Sequence, residues 1–371
     1  MTKLDALYLE HGQSAWVDNI RRDWLNDGTL QRLVDRGVRG VTSNPSIFAK
    51  AVASSSAYDD LIAQLGISDP EEAFERLAIE DVREACAILR PVYEASLRGL
   101  TSGTRRSLDG YVSLEVSPRL AHDTVGTVAA AIRLATALNE SPNVMIKIPA
   151  TEAGLPAITQ VLAAGISVNV TLIFSLARYD QVLDAFAAGI ASAKENGHDI
   201  ARISSVASFF ISRVDTAIDP LLPEGSALRG VSAIAQAAAA YELFLAKLDT
   251  PLFQALLSDG AQVQRPLWAS TSTKNPAYSD LLYVDTLVVE ESVNTLPDPT
   301  LEAYADHGDA TKSRLSNAAL RQRLAAQLGE LAGEGVDLAT ITTQLENEGV
   351  AAFVSSYDEL LATVASKIQK G

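Results

Sequence analysis

A single cysteine, Cys86, in 371 residues excludes an internal disulfide. It falls within AIEDVREACAILRPVYEASL, a helical pattern in which a small core side chain is the expected role. The four histidines, His11, His122, His198 and His307, are scattered through or beside turn-rich stretches. None forms an H-x-x-x-H or H-E-x-x-H pair, and no Cys–His cluster exists, so no metal site is expected. Neither a G-x-x-x-x-G-K-[ST] loop nor a G-x-G-x-x-G after a strand occurs, which leaves nucleotide cofactors without support; no cofactor of any kind is expected. No apolar run reaches the ~18 residues of a membrane-spanning helix, and the first residues lack a basic-then-apolar signal pattern. A cytoplasmic location is the expectation. Positive charge is also short: 30 Lys and Arg stand against 46 Asp and Glu, a net charge of −16. That balance argues against nucleic acid or an anionic membrane as a partner.

What is present is ample apolar material, 47% of residues, distributed as short β-type runs alternating with helical patterns. Strands are expected at Ser14–Asn19, Val38–Asn44, Tyr111–Ser117, Val144–Pro149, Ser167–Phe174, Ser204–Phe210, Val263–Ser272 and Leu287–Val293. Helix-period stretches between them include Thr124–Leu138, Gly154–Ala164, Leu176–Asn196 and Ser232–Leu248. Gly165 reads as a helix C-cap, and Asp69-Pro70-Glu71-Glu72 as a helix start. This order predicts an α/β fold of the parallel (β/α)₈ TIM-barrel class, with an open doubly wound sheet as the rival. A barrel takes ~250 residues. The surplus falls in helices between strands two and three, about 46–105, and in a C-terminal helical extension from about 315. With no Pro/Gly/Ser-rich linker, residues 1–371 are expected to form one domain.

Strand parity sorts the side chains. Asp18, Asn44, Glu115, Lys147, Asn169, Thr171 and Ser208 fall on one face, whereas the opposite sets are nearly pure Val, Ile, Leu and Ala. The polar residues collect towards the C-terminal half of each run, the end at which barrels carry their active sites. The segment NVMIKIPAT then turns Lys147 into the lumen, flanked by Glu115 and Thr171 on adjacent strands about 5 Å away. One buried ion pair can be filler. Polar residues on six strands at matching ends are costly to bury without a use.

A lumen lysine without metal or nucleotide is suited to Schiff-base chemistry on a carbonyl substrate, with Glu115 and Asp18 as proton carriers. An apolar strand environment lowers a lysine pKa and neighbouring carboxylates raise it, so the two effects oppose each other here.

The segments GVTSNPSIF, VSLEVSPRL, NVMIKIPAT, GISVNVTLIFS and SVASFFISRVD, in this order and spacing, resemble the transaldolase family of class I aldolases. The helical insertions and RPLWASTSTKNPAYSDLLYV are similar to its bacterial, actinobacterial-like form, and the match runs from about Ser14 to the C-terminal helix. The resemblance implies a (β/α)₈ barrel that moves a dihydroxyacetone unit between sugar phosphates in the pentose phosphate pathway. The donor would be sedoheptulose 7-phosphate or fructose 6-phosphate, and the acceptor glyceraldehyde 3-phosphate or erythrose 4-phosphate. It implies Lys147 as the Schiff-base residue, Asp18 as acid/base at the cleaved bond, and Glu115 acting through a water held with Thr171. Asn44 and Asn169 would hold substrate hydroxyls, and Ser208 with Arg213 would position substrate and phosphate. Phe210, where related free-dihydroxyacetone aldolases carry tyrosine, favours transfer over release. One departure stands out: many members read Ala-Ser-x-Arg at strand seven, and here Ser272 occupies the arginine position. Lys274, with Ser270, is expected to replace it as a phosphate contact. The competing expectations are a fructose-6-phosphate aldolase that releases dihydroxyacetone and a catalytically silent barrel scaffold. Monomer and homodimer are both compatible with the sequence.

Overall fold

The computed structural model describes residues 1–101 and 107–369. The β-branched runs form seven strands among these residues: β1 (Gln13–Val17), β2 (Val112–Glu115), β3 (Val144–Pro149), β4 (Val168–Ile173), β5 (Ser205–Phe210), β6 (Gln264–Ala269) and β7 (Ser292–Leu296). Every pairing is parallel, in the order β1-β7-β6-β5-β4-β3-β2. Nearly all strand residues are buried on both faces, as parallel strands between helices and a packed interior must be.

Two of the expected strands come out differently. Val38–Asn44 forms only an isolated bridge at Val41, which pairs with Val17 of β1 and with Val112 of β2. Val41 N–H donates to Tyr111 O and Thr42 N–H to Val17 O, both at 2.9 Å, so the segment hydrogen-bonds to both edge strands of the sheet. Within it Gly40 lies against the Trp16 ring, where a Cβ would come within 2.4 Å of ring atoms. At its other end Asn44 is already the cap of the helix Pro45–Ser54.

The last strand is Ser292–Leu296, not Leu287–Val293. Leu287, Val288 and Val289 are buried, but as the exit from the short helix Leu282–Thr286. An apolar run tracks burial, and burial alone does not make a strand.

The outer helices Thr124–Ala137, Gly154–Ala163, Leu176–Glu195 and Ser232–Leu248 lie where their periodicity put them, to within a residue at each end. Gly165 has φ of 79°, the left-handed conformation of a helix terminator. Asp69 caps the helix Pro70–Thr101, accepting from Glu72 N–H at 2.8 Å, and Cys86 is buried on that helix. The insertion forms the helices Pro45–Ser54, Asp59–Leu65 and Pro70–Thr101.

The C-terminal helix, Leu338–Ile368, returns across these elements. It is held by Ser46–Ser356 (2.7 Å), Tyr357–Glu71 (3.0 Å), Arg119–Asp358 (2.7 Å) and Arg178–Glu346 (3.3 Å). Among the described residues no helix is long and apolar enough to cross a membrane.

Candidate active site

Lys147 lies mid-strand in β3, only 4% exposed. In register it stands beside Glu115 of β2 and Asn169 of β4. Thr171, the neighbour expected from parity, pairs instead with Pro149, two residues nearer the C-terminal rim. Parity gives the correct face but cannot give the stagger between strands. Just beyond Thr171 the ladder slips between Val170 and Ile173, with Leu172 at φ 59°. Such a bulge re-aims the side chains beside it, and a left-handed leucine costs about 1–3 kcal/mol that the surrounding packing must offset.

The Lys147 Nζ donates to the Ser43 carbonyl at 3.1 Å and stands 3.5 Å from Glu115 Oε2. Burial pushes the Glu115 carboxyl up to about 7, against the opposing pull of Lys147. Asp18 is likewise raised by burial, partly countered by Lys147 and by Thr42. Thr42 Oγ1 donates to Asp18 Oδ1 at 2.6 Å and shares a second 2.6 Å hydrogen bond with Thr295. The amine therefore lies within the electrostatic reach of two carboxyl groups that burial inclines towards their neutral, proton-carrying forms.

A cavity of about 380 Å³ opens over Lys147. Of the residues singled out in the sequence, Asp18, Asn44, Lys147, Thr171, Ser208, Phe210, Arg213, Ser270 and Lys274 line it. Two do not. Asn169 is sealed beneath, its Nδ2 donating to Ser113 Oγ and its Oδ1 accepting from Ser208 Oγ. Glu115 reaches Lys147 from the side and lines a flank hollow of about 280 Å³ with Ser117 and Tyr357. Asn44 spends its Oδ1 on capping, accepting from Ile47 N–H at 3.0 Å, which leaves its amide N–H groups for a ligand. A larger hollow of about 850 Å³, lined by Leu97, Leu245, Leu248 and Leu257 among others, contains none of these catalytic candidates.

One wall of the cavity is cationic although the protein is acidic overall. Lys50, Arg213 and Lys274 all line it. Burial and the positive charges of Arg213 and Lys50 hold Lys274 below the usual lysine range. Among the described residues no carboxylate forms an ion pair with any of the three; Glu348 acts on Arg213 only from a distance. Three cations at one wall, two of them acting on Lys274, make a wall suited to a dianion.

The loop carrying Ser270, Ser272 and Lys274 is pinned to the helix Ser212–Ile218, which carries Arg213. Ser212 N–H donates to Ser270 O at 3.0 Å, and the two hydroxyls share a 3.0 Å hydrogen bond. Two tyrosines following the loop extend the clamp: Tyr283 donates to Asp215 (2.8 Å) and Tyr278 to Asp219 (2.7 Å). Lys274 Nζ donates to Ser272 Oγ at 2.6 Å.

Sequence reasoning missed Lys50, Thr295 and Phe353, all of which line the cavity. Thr295 was hidden by the misassigned last strand. Lys50 lies on a helix six residues after Asn44, and Phe353 lies on the C-terminal helix, so strand parity has no purchase on either. Among the described residues no group of three or more His, Cys, Asp or Glu side chains is arranged to hold a metal ion.

The family model described as transaldolase/fructose-6-phosphate aldolase matches residues 15–364. A protein of Saccharopolyspora erythraea named transaldolase is 47% identical over 375 aligned residues, covering 100% of this chain and 98% of the relative. Transaldolases of Frankia alni (48% identical, 96% and 95% covered) and Mycolicibacterium smegmatis (47%, 94% and 93%) are similarly related.

Proposed function

The chain belongs to the transaldolase/fructose-6-phosphate aldolase family, and on that premise we propose that it is a transaldolase working through a Schiff base on Lys147. The observation that carries the assignment is the buried Lys147 amine at the floor of a polar cavity, 3.5 Å from a carboxyl that burial holds near neutrality.

The neutral amine adds to the C2 carbonyl of a ketose phosphate. The resulting carbinolamine loses water as Glu115, through a water held with Thr171, protonates the departing hydroxyl. The iminium then withdraws electrons from the C3–C4 bond. As that bond breaks, Asp18 takes the C4 hydroxyl proton and the aldose phosphate leaves, with a dihydroxyacetone enamine remaining on Lys147. The enamine carbon next attacks the aldehyde carbon of the acceptor, and Asp18 returns its proton to the aldehyde oxygen. Hydrolysis of the new iminium frees the product ketose phosphate and restores the amine. Each correctly positioned proton transfer contributes about 10²–10⁴ in rate.

Asn44 and Ser208 orient the three-carbon unit, and Asn169 positions Ser208 from beneath by accepting its hydroxyl proton. Arg213 and Lys274, supported by Ser270 and joined by Lys50, take the phosphate. Sedoheptulose 7-phosphate or fructose 6-phosphate as donor, and glyceraldehyde 3-phosphate or erythrose 4-phosphate as acceptor, fit a 380 Å³ cavity with one cationic wall. This is the chemistry of the cytoplasmic pentose phosphate pathway. We also read residues 38–42 as the eighth member of a closed (β/α)₈ barrel, on the strength of their hydrogen bonds to both β1 and the start of β2.

Borohydride reduction in the presence of fructose 6-phosphate, followed by mass mapping, tests the central step. A dihydroxyacetone-derived adduct is expected on Lys147. Turnover without such an adduct would sink the assignment. Phe210, a phenyl ring with no hydroxyl to hold water, favours transfer over a free-dihydroxyacetone aldolase.

A further inference from the structure

The C-terminal helix brings an aromatic ring to the reacting nitrogen. The Phe353 ring centroid lies 5.9 Å from Lys147 Nζ, and the side chain lines the same cavity. Phe210 and Phe353 are the aromatic residues among its lining; Phe210 packs on Phe174 with ring centroids 4.9 Å apart.

The backbone geometry shows how the ring is delivered. One turn before Phe353, Gly349 presses the helix onto the rim of the sheet. A Cβ there would stand 3.1 Å from Leu172 and 3.4 Å from Phe174. Residues i and i+4 share a helix face, so the close approach at Gly349 carries Phe353 over the cavity. The helix is fixed on both sides of this point, by Arg178–Glu346 before it and by Ser46–Ser356 and Arg119–Asp358 after it.

We infer that Phe353 is a specificity residue: it keeps water from the Lys147-bound enamine and so commits the three-carbon unit to transfer. The inference rests on the transaldolase reading above. The enamine carbon has two competing electrophiles, the acceptor aldehyde and a proton. Taking a proton gives an iminium; water adds at C2, the amine is expelled, and dihydroxyacetone departs. The sum of that side path is enamine plus water giving free lysine amine plus dihydroxyacetone. An apolar ring centred 5.9 Å from the nitrogen occupies space from which a water could hand the enamine carbon its proton, and it offers that water no hydrogen bond. It also presents its electron-rich face towards the cationic iminium at the outer limit of cation–π range.

The experiment measures free dihydroxyacetone released from fructose 6-phosphate against transfer to glyceraldehyde 3-phosphate. Phe353→Ala opens the space, and Phe353→Tyr keeps the size but adds a hydroxyl that holds water. Both are expected to raise the release-to-transfer ratio tenfold or more. Phe353→Leu keeps an apolar wall and is expected to stay within twofold of the parent. Gly349→Leu, at a residue outside the cavity lining, lifts the helix and is expected to raise the ratio in the same direction. A ratio within twofold of the parent in both the Ala and Tyr variants overturns the inference, as does a Leu variant that leaks as much as Ala. Borohydride trapping separates the two levels: an adduct on Lys147 with an unmoved ratio removes only the role of Phe353, whereas turnover without an adduct in the parent chain removes the Schiff-base reading beneath it.

Discussion

Glu115 Oε2 and Lys147 Nζ face each other across 3.5 Å from paired positions of neighbouring strands. On the proposed Schiff-base mechanism, Glu115 receives the proton that leaves Lys147 before the amine attacks. Burial raises Glu115 to about 7. Below that pH the carboxyl is already protonated and cannot receive, so kcat/KM is expected to fall about tenfold per pH unit on the acid side. Glu115→Gln should lower the rate by about 10²–10⁴ and abolish that acid limb. A pH–rate profile unchanged in shape in the Gln variant would show that another group carries the limb.

The helix-to-loop clamp makes a separate stability prediction. Asp215 is buried, accepts from Ala233 N–H and Tyr283 OH, and is pushed up to about 7 by burial. Its unfolded value is about 3.9. Between these values the folded state binds more protons than the unfolded one, so the stability contributed below pH ~4 is lost as pH rises towards 7. Asp215→Asn removes this dependence while keeping an acceptor oxygen. Relative to the parent, the variant should gain about 1–3 kcal/mol between pH 5 and pH 8, read from urea midpoints at the two pH values. Equal shifts at both pH values would place Asp215 among the ordinary carboxylates.

How far the sequence reached follows from which elements carry each residue. Val144–Pro149 was readable to the residue, because β-branched side chains flank one lysine and Pro149 ends the run. Lys147, Thr171 and Ser208 followed from parity on β3, β4 and β5. The register between strands was not readable, since period-two patterning is blind to a two-residue stagger, and Asn169 rather than Thr171 is the partner opposite Lys147. The last strand was lost because Leu287–Val289 is the more apolar run although it is not the paired one. Phe353 was out of reach for a different reason: its approach to Lys147 depends on how a helix some two hundred residues later packs at Gly349.

The cationic wall supplies the remaining test. Lys274 is lowered by burial and by the charges of Arg213 and Lys50, a repulsion that a bound dianion would relieve. A charge-assisted hydrogen bond contributes about 1.5–3 kcal/mol, or roughly ten- to a hundred-fold in affinity. Lys274→Ala is therefore expected to raise KM for both phosphorylated donor and acceptor by about tenfold with little change in kcat, since phosphate is held alike before and during the reaction. Lys50→Ala should act in the same sense. Arg213, with its bidentate fork, should cost more when replaced by Lys than either lysine costs when replaced by Ala. Inorganic phosphate should inhibit the parent competitively and the Lys274→Ala variant about tenfold less, while turnover of an unphosphorylated acceptor stays as in the parent. Unchanged Michaelis constants for both phosphorylated substrates in Lys274→Ala would remove Lys274 from the phosphate site and leave that role to Arg213 and Lys50.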